Sequence, residues 1–441
     1  MRTTAGLLLL LAALPAAAAP PMTDWPTLLG PAGDGVSAET GILTRWPATG
    51  LKKLWDVGLG SGYAPPTVAA GHLFHFDQVE GNARLTCRDA ATGALVWKHD
   101  TPTTYDDAFG YDPGPRAAPV VAGGRVFTHG VDGIVTAADA ATGMALWKVD
   151  TRAAYHVHPN FFGVGSVTLA LGDRVIVAVG GSPKGAKPDD FKDIQGNGTA
   201  LVAFDAATGK QAWAAGDDLA SYSSPVLRTL GGKPTVLYFG RGGLTGVDPA
   251  AGTARFFTPY RSKLTESVNA ANPVVVGDDI LLTECYENGA TLFRFAAGKL
   301  GTVWSDVGKD RGDKSLQSHW CTPVADGRYI YGCHGRNPND AELRCIDRAT
   351  GEVKWAERRS TRCTLVKIDG HLLSFGEQAQ LRLIKLNPDK YDEVARWQVP
   401  GLGYPTWAPP TISGGRLYLR GKDPDDARKQ RLACYELVPE K

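Results

Sequence analysis

The residues best suited to bind a ligand form a repeated column of aromatic and cationic side chains. Each stands three residues before the proline that opens a repeat unit, or at the equivalent position where that proline is missing; they are Tyr63, Arg116, Tyr222, Trp320, Arg362 and Trp407. Aromatic faces stack on planar molecules, and guanidinium groups pair with carboxylates. These six residues, called the axial ring below, could hold a planar, carboxylated ligand. The alternative is that they only fill the space between neighbouring repeats.

Other groups that could do chemistry are weaker candidates. Loop carboxylates could act in catalysis or bind calcium, although loop acids are usually solvated; they are Asp106, Asp107, Asp112 and Glu266. His156 and His158 would share one side of an extended segment, as metal ligands can, but no third ligand is evident. The acidic segment 189–197 lacks the ligand spacing of a calcium loop. We therefore predict no metal site and no catalytic residue.

The seven cysteines are interpreted mainly as small core residues. Three of them take a position that is Ala or Gly in other repeats, and two more share a position with Ala or Ser; they are Cys87, Cys345 and Cys434, then Cys321 and Cys363. A disulfide between Cys333 and Cys345 is an open alternative, since both would lie on neighbouring strands. The odd total leaves at least one thiol unpaired, and the spacings do not indicate zinc.

An internal repeat must position all of these residues. Five hairpins have an Asp, a Gly four residues later and an aromatic ring eight residues after the Asp; they begin at Asp89, Asp139, Asp205, Asp248 and Asp347. Asp caps such a turn and Gly supplies a positive φ, so strands flank each hairpin. With weaker copies, the structural ring column comprises Trp55, Trp97, Trp147, Trp213, Phe256, Trp304, Trp355 and Trp397.

The spacing of this column predicts an all-β, eight-bladed β-propeller of four-stranded antiparallel blades. Consecutive rings are 42 to 66 residues apart by subtraction, the length of a propeller blade. The last repeat ends without a Trp strand, whereas Trp55 begins the series on a strand with no blade before it. We therefore predict that the N-terminal strand closes the ring over residues 51–441, with residues 20–50 as an extension packed on the propeller. Seven blades or a split into domains is the alternative.

The first residues and the charge balance bear on location and partners. Arg2, the apolar segment Leu7–Leu14 and the small residues Ala16–Ala19 predict a signal peptide over residues 1–19. We therefore expect an exported protein, periplasmic or extracellular and soluble, with no membrane span after cleavage, and a monomer. A net charge of +1 offers no field for nucleic acid, which we exclude as a partner.

The hairpins carry a resemblance to a known superfamily. The pattern Ala-x-Asp-x-x-Thr-Gly-x-x-x-Trp, as in Ala203–Trp213, resembles the tryptophan-docking motif of the pyrroloquinoline-quinone-like (PQQ-like) propellers. The resemblance covers essentially all of the mature chain and implies Trp rings wedged against the Thr-Gly hairpin of the next blade. The superfamily includes quinoprotein alcohol and sugar dehydrogenases, a lipoprotein subunit of the outer-membrane barrel assembly machinery, and exported members without a known role, which this chain resembles most.

The resemblance implies three functions. Quinoprotein dehydrogenases carry a disulfide between adjacent cysteines, a calcium-bound carboxylate pair and sometimes a Cys-x-x-Cys-His haem site, and this chain has neither adjacent cysteines nor that haem motif. We therefore predict a non-catalytic binding or scaffolding module. The face of the propeller that carries the long loops would bind an unknown protein or small ligand. The alternatives are a dehydrogenase using PQQ with calcium, and an outer-membrane protein assembly factor, which the missing lipid-attachment cysteine disfavours.

Overall fold

A computed structural model describes residues 23–158, 160–186, 195–358, 360–426 and 429–439. The predicted signal peptide at residues 1–19 and most of the acidic segment 189–197 lie outside the described residues. In the ranges given, no helix is both long and apolar enough to cross a membrane.

Thirty-three strands make up almost all of the regular structure described. Two precede the repeats, β1 (Val36–Ser37) and β2 (Lys53–Leu59). Blades 1 to 4 contain, in order, β3 (Thr67–Ala69), β4 (His72–Val79), β5 (Asn82–Asp89), β6 (Leu95–Pro102); β7 (Val120–Ala122), β8 (Arg125–His129), β9 (Ile134–Asp139), β10 (Ala145–Asp150); β11 (Leu169–Leu171), β12 (Arg174–Ala178), β13 (Leu201–Asp205), β14 (Gln211–Ala215); β15 (Val226–Leu230), β16 (Lys233–Phe239), β17 (Gly243–Val247), β18 (Ala254–Pro259).

Blades 5 to 8 continue the series with β19 (Val274–Val276), β20 (Asp279–Glu284), β21 (Gly289–Ala296), β22 (Lys299–Ser305); β23 (Val324–Asp326), β24 (Tyr329–His334), β25 (Glu342–Asp347), β26 (Val353–Glu357); β27 (Cys363–Ile368), β28 (His371–Gly376), β29 (Gln380–Lys385), β30 (Glu393–Gln398); β31 (Thr411–Ser413), β32 (Arg416–Lys422), β33 (Gln430–Glu436). One short helix, α1 (Thr151–Tyr155), and two 3-10 turns, Arg311–Asp313 and Pro338–Asp340, lie between strands.

Each blade is an antiparallel meander in which the first strand is innermost, so the eight-bladed prediction is confirmed. The two middle strands of a blade are buried on both faces because each blade packs between two others; in β12 and β13, Val175 to Ala178 and Leu201 to Phe204 are almost fully buried. The outermost strands instead alternate exposed and half-buried residues. The core therefore consists of layers between blades.

The two ends of the chain share blade 8. Strand β2 pairs antiparallel with β33, with Trp55 opposite Cys434 and Leu59 opposite Gln430. The blade order is therefore β2-β33-β32-β31, and the N-terminal strand supplies its outermost strand. This pairing closes the ring as the sequence predicted and covers an edge of β33 that would otherwise be open.

The aromatic column makes a repeated contact between blades. The indole N–H of Trp97 donates to the carbonyl of Ala140 at 3.1 Å, in the hairpin of the next blade. Gly143 of that hairpin lies flat on the ring: a Cβ there would stand 2.4 Å from Cε3 of Trp97. Its φ of +74° also favours glycine. Glycine is therefore required in this turn both by the close contact with the ring and by the backbone conformation of the turn.

Residues 25–37 run through the central channel. Trp25 is 3% exposed and exchanges both backbone hydrogen bonds with Val68 on the innermost strand of blade 1. Strand β1 pairs parallel with β27, the innermost strand of blade 7, and Arg228 of blade 4 donates to the carbonyl of Ala32. Because these partners surround the axis, the segment fills the channel at the end away from the axial ring.

All seven cysteines are buried and unpaired. The disulfide considered between Cys333 and Cys345 does not form, because the register sets Cys333 opposite Leu343 and Cys345 opposite Tyr331. The interpretation of the cysteines as small core residues agrees with their burial.

We expect Trp147→Ala to lower the free energy of unfolding by about 3–5 kcal/mol, because the lost ring leaves a hole between two blades. The ring contacts Phe127 and Phe204 on either side and donates to Ala206. Chemical denaturation measures the change. Leu146→Ala, at a 39% exposed neighbour, is the control and should be close to neutral. An unchanged melting temperature for Trp147→Ala would refute the packing role.

A chain that begins at Gly60 lacks β2 and should self-associate, because the edge of β33 is then open and the ring is not closed. A chain that begins at Gly41 retains β2 and should associate less. Size-exclusion chromatography with light scattering compares the two. A monomeric Gly60 chain with the melting temperature of the parent would contradict closure by strand pairing.

Candidate functional site

The six axial-ring residues lie at one mouth of the channel, each just before an innermost strand. The ring centroid of Trp407 is 5.0 Å from that of Tyr63 and 5.4 Å from that of Trp320. The guanidinium of Arg362 stands 4.6 Å from the Trp320 centroid, and that of Arg116 stands 5.6 Å from Tyr63. Five of the six residues therefore form one contiguous group of stacked rings and cations.

Both arginines of the ring are already paired with carboxylates. Arg362 binds Glu377 through Nε at 3.0 and 3.1 Å and through a terminal nitrogen at 2.6 Å, and Glu377 is completely buried. Arg116 donates to Asp107 at 2.7 Å. Glu377 also accepts the indole N–H of Trp407 at 3.1 Å. These charge-assisted bonds fix the orientation of the ring.

A chain of buried hydrogen bonds connects the ring to the closure of the propeller. Arg420 donates to the carbonyl of Ala64 at 2.8 Å and to the side chain of Gln430, which in turn donates to Asp112. The backbone N–H of Asp112 donates to the hydroxyl of Tyr63 at 3.3 Å. Burial is the main reason that the pKa of Tyr63 rises to about 12, so this phenol stays neutral.

The loop carboxylates divide into two groups. Asp106 and Glu266 are exposed, as expected of solvated acids. Asp107 and Asp112 are only 6% and 8% exposed, so the expectation of solvation is wrong for them. Their burial is possible because Asp107 pairs with a guanidinium and Asp112 accepts the amide of Gln430. Both acids support the ring.

Five loop aromatics, called the aromatic crown below, cover the mouth: Phe109, Tyr111, Phe161, Phe162 and Tyr404. Tyr222 reaches the rest of the ring through them, because its centroid is 5.9 Å from Phe162, Phe162 is 5.2 Å from Tyr111, and Tyr111 is 6.0 Å from Trp407. Tyr222 precedes blade 4 and Trp407 precedes blade 8, on opposite sides of the ring. The crown therefore spans the mouth.

The crown has an open outer surface. Phe109, Tyr111 and Tyr404 are 58%, 47% and 49% exposed. Their edges are held by T-shaped contacts, such as Phe109 against Phe162 at 5.5 Å. Exposed aromatic side chains clustered at one place are typical of binding surfaces.

The residues that sequence reasoning missed all come from loops. Glu377 follows Gly376 at a strand end, and Phe161–Phe162 is an apolar pair in an insertion, which was the only signal available for these groups. Blade 3 lacks a ring side chain because Gly165 stands in that position, and a Cβ there would lie 2.7 Å from Cδ1 of Tyr222.

His156 is exposed at the end of α1. Among the residues placed by the structure, no three His, Cys, Asp or Glu side chains form a metal-binding group.

A planar quinone with calcium does not match the ring as folded. Such a ligand needs an open aromatic face and unpaired cations for its carboxylates, whereas Tyr63, Trp320 and Trp407 already pack on one another. Arg116 and Arg362 already bind Asp107 and Glu377. The quinone would have to displace the ring's own contacts.

Comparisons with known proteins support the fold. The family model described as outer membrane protein assembly factor BamB matches residues 40–190 and 191–357. BamB from Moraxella catarrhalis superposes with a TM-score of 0.58 at 16% identity, covering 87% of this chain and 99% of that one. The quinohemoprotein alcohol dehydrogenase from Comamonas testosteroni gives a TM-score of 0.67 at 13% identity, covering 95% and 82%.

Two further results concern what structural similarity at low sequence identity shows. The computationally designed Ika8 protein superposes with a TM-score of 0.58 at 11% identity, covering 88% of this chain and 100% of its own. A search of curated protein sequences found no match. Structural likeness at these identities therefore describes the fold alone.

We expect acid to destabilise the site through His319. Its imidazole lies 5.1 Å from Trp320, and its pKa is lowered to about 3, first by burial and then by the charges of Arg362 and Arg336. In the unfolded chain the pKa is about 6.5, so between these values the unfolded state binds a proton that the folded state does not. The stabilising effect is complete above pH 6.5 and is lost as the pH falls towards 3.

The free energy of unfolding of the parent should fall between pH 7 and pH 4. In His319→Gln this fall should be smaller by about 1–3 kcal/mol. Denaturant unfolding at a series of pH values measures this difference. His72→Gln, at an exposed histidine in blade 1, serves as the control and should follow the parent curve. Parallel curves for His319→Gln and the parent would contradict the assignment.

Proposed function

Because this chain belongs to the PQQ-like propeller family whose model is described as outer membrane protein assembly factor BamB, we propose that it is a non-catalytic scaffold. Its aromatic crown binds a protein partner, and the propeller holds the crown rigid. The proposal also takes residues 1–19 as a signal peptide, so that the protein acts in the periplasm or outside the cell.

The observation that carries this proposal is the exposure of aromatic rings on a built support. Phe109, Tyr111 and Tyr404 are exposed to solvent; Tyr111 and Tyr404 also contact Trp407 of the ring, and Phe109 contacts Phe162 of the crown. Rigid aromatic side chains lose little conformational entropy on association and often dominate binding energy. Arg116 and Arg362 are held by carboxylates, so the surface is mainly apolar.

The charge pairing of the ring supports a scaffold over an oxidoreductase. A quinone-dependent enzyme would require Arg116 and Arg362 to leave their carboxylates and the three stacked rings to separate. Breaking a buried bidentate pair without replacement costs about 3–5 kcal/mol. A partner that lands on the outside of the crown disturbs none of these contacts.

A second candidate is a factor for outer-membrane protein assembly. The family description and the superposition with BamB from Moraxella catarrhalis favour it, since 99% of that chain is covered. In this version the partner on the crown is an envelope protein of the assembly machinery.

A crown variant tests the scaffold. Phe109→Ser, Tyr111→Ser and Tyr404→Ser together should reduce partner recovery at least about tenfold in a cross-linked pull-down from envelope extract, while the melting temperature changes little. The matched control replaces Leu95, Val96 and Met144 with Ser, three similarly exposed hydrophobic residues at or directly before the start of the outer strands β6 and β10. It should leave recovery unchanged.

Other outcomes of the same measurements separate the candidates. Equal recovery by the crown variant and the control would contradict binding through the crown. Recovery of β-barrel proteins by the parent would favour an assembly factor, and recovery of the chain alone would count against it. Stoichiometric binding of PQQ with calcium and reduction of an artificial acceptor would replace both proposals with the oxidoreductase.

A further inference from the structure

The eighth hairpin of the propeller is split between the two ends of the chain. In six blades the column tryptophan donates its indole N–H to a backbone carbonyl in the next hairpin; the donors are Trp55, Trp97, Trp147, Trp213, Trp304 and Trp355. Trp397 faces blade 8, where β33 and β2 are not joined by a turn. The hairpin of blade 8 is assembled from residues around Gly50 on one side and from Leu437 on the other.

Both halves imitate a continuous hairpin. A Cβ at Gly50 would lie 1.8 Å from Cε2 of Trp397, so Gly50 covers the ring as Gly143 covers Trp97. The N–H of Leu437 donates to Gly415, as the N–H of Ala90 donates to Gly71. The carbonyl of Ala90 accepts the N–H of Trp55, and the corresponding carbonyl in blade 8 is that of Leu437.

That carbonyl is taken by another group. Leu437 accepts the backbone N–H of Leu43 at 2.9 Å. Within the described ranges the indole N–H of Trp397 has no acceptor, unlike those of the other column tryptophans. Trp397 pairs with Leu381, and Ala395 holds the position at which the other column tryptophans pair, so the Trp397 indole lies two residues along the strand from the repeated contact.

A cavity of about 650 Å³, called the seam cavity below, lies between the two halves. Its apolar wall includes Leu43, Leu402, Trp397 and Tyr435. Tyr435 is 1% exposed, its ring meets Trp397 edge to face at 5.1 Å, and its hydroxyl has no hydrogen-bond partner. A volume of this size suits a small molecule, and the two rings offer it an apolar wall.

The rim of the seam cavity is positive. Its charged lining residues are four bases and two acids: Arg45, Lys52, Lys53 and Arg431, with Asp56 and Glu436. Asp56 is held by Lys53 and Arg431, and Glu436 by Lys52. Arg45 is exposed and has no carboxylate partner in the described part of the chain, so it is available to an anion.

We propose that the seam cavity binds a small carboxylate with a flat apolar body. The apolar body lies against the rings of Trp397 and Tyr435, and the carboxylate pairs with Arg45. The site is on the circumference between blades 7 and 8, away from the crown. It is therefore independent of the proposed scaffold function.

Titration calorimetry on the full-length chain tests the site with 1-naphthylacetate, and the neutral 1-naphthylacetamide is the matched probe. The acid should bind with a dissociation constant at least about tenfold lower than that of the amide. No binding of the acid, or equal binding of acid and amide, would overturn the proposal.

Two variants locate the binding. Arg45→Ala should weaken the acid about tenfold without affecting the amide, and it should fold normally because Arg45 is exposed. Leu43→Ala should weaken both probes severalfold, because Leu43 is half-buried and forms part of the apolar wall. Leu169→Ala is its control, because Leu169 is also a half-buried leucine and lies in blade 3.

Binding that survives Arg45→Ala unchanged would overturn the assignment of the carboxylate. A loss of binding in Leu169→Ala equal to that in Leu43→Ala would show a general effect on packing and would also overturn it. The crown variant with Phe109→Ser, Tyr111→Ser and Tyr404→Ser should bind the acid like the parent. Failure of the scaffold proposal therefore leaves this result unaffected.

Discussion

Pairing of β2 with β33 is the constraint on which the rest of this molecule depends. Loops join successive blades, but the ring of eight is closed in blade 8 by strand pairing between the two ends of the chain and not by a covalent link. The same junction carries Arg420 and Gln430, whose hydrogen bonds lead through Asp112 to Tyr63 at the mouth. Closure and the geometry of the candidate site are therefore coupled.

The channel is closed at both ends by different means. At one end the N-terminal segment that contains Trp25 and β1 pairs with innermost strands, and at the other the crown bridges opposite blades. The ring cations Arg116 and Arg362 are paired with buried acids. The two proposed binding sites, on the outer surface of the crown and in the seam cavity, both lie outside the channel.

Sequence reasoning succeeded where a repeat carried the information. The pair of Gly143 and Trp97 recurs in most blades at similar spacing, so the hairpin, the blade and the number of blades follow from repeated local chemistry. It was less successful for groups that occur once. Nothing in the spacing of Asp107 or Asp112 indicates burial, because their partners, Arg116 and Gln430, are defined only by the folded loops.

By itself, the sequence determined the blades, their closure and the level at which the ring residues sit, because strand periodicity, turn chemistry and aromatic spacing are local properties of the chain. Tertiary structure alone decided which of those residues touch. Glu377 meets Arg362, and Tyr111 meets Trp407, only after distant loops have been brought to one mouth. The seam cavity has the same origin, since Gly50 and Leu437 become neighbours only when the ring closes.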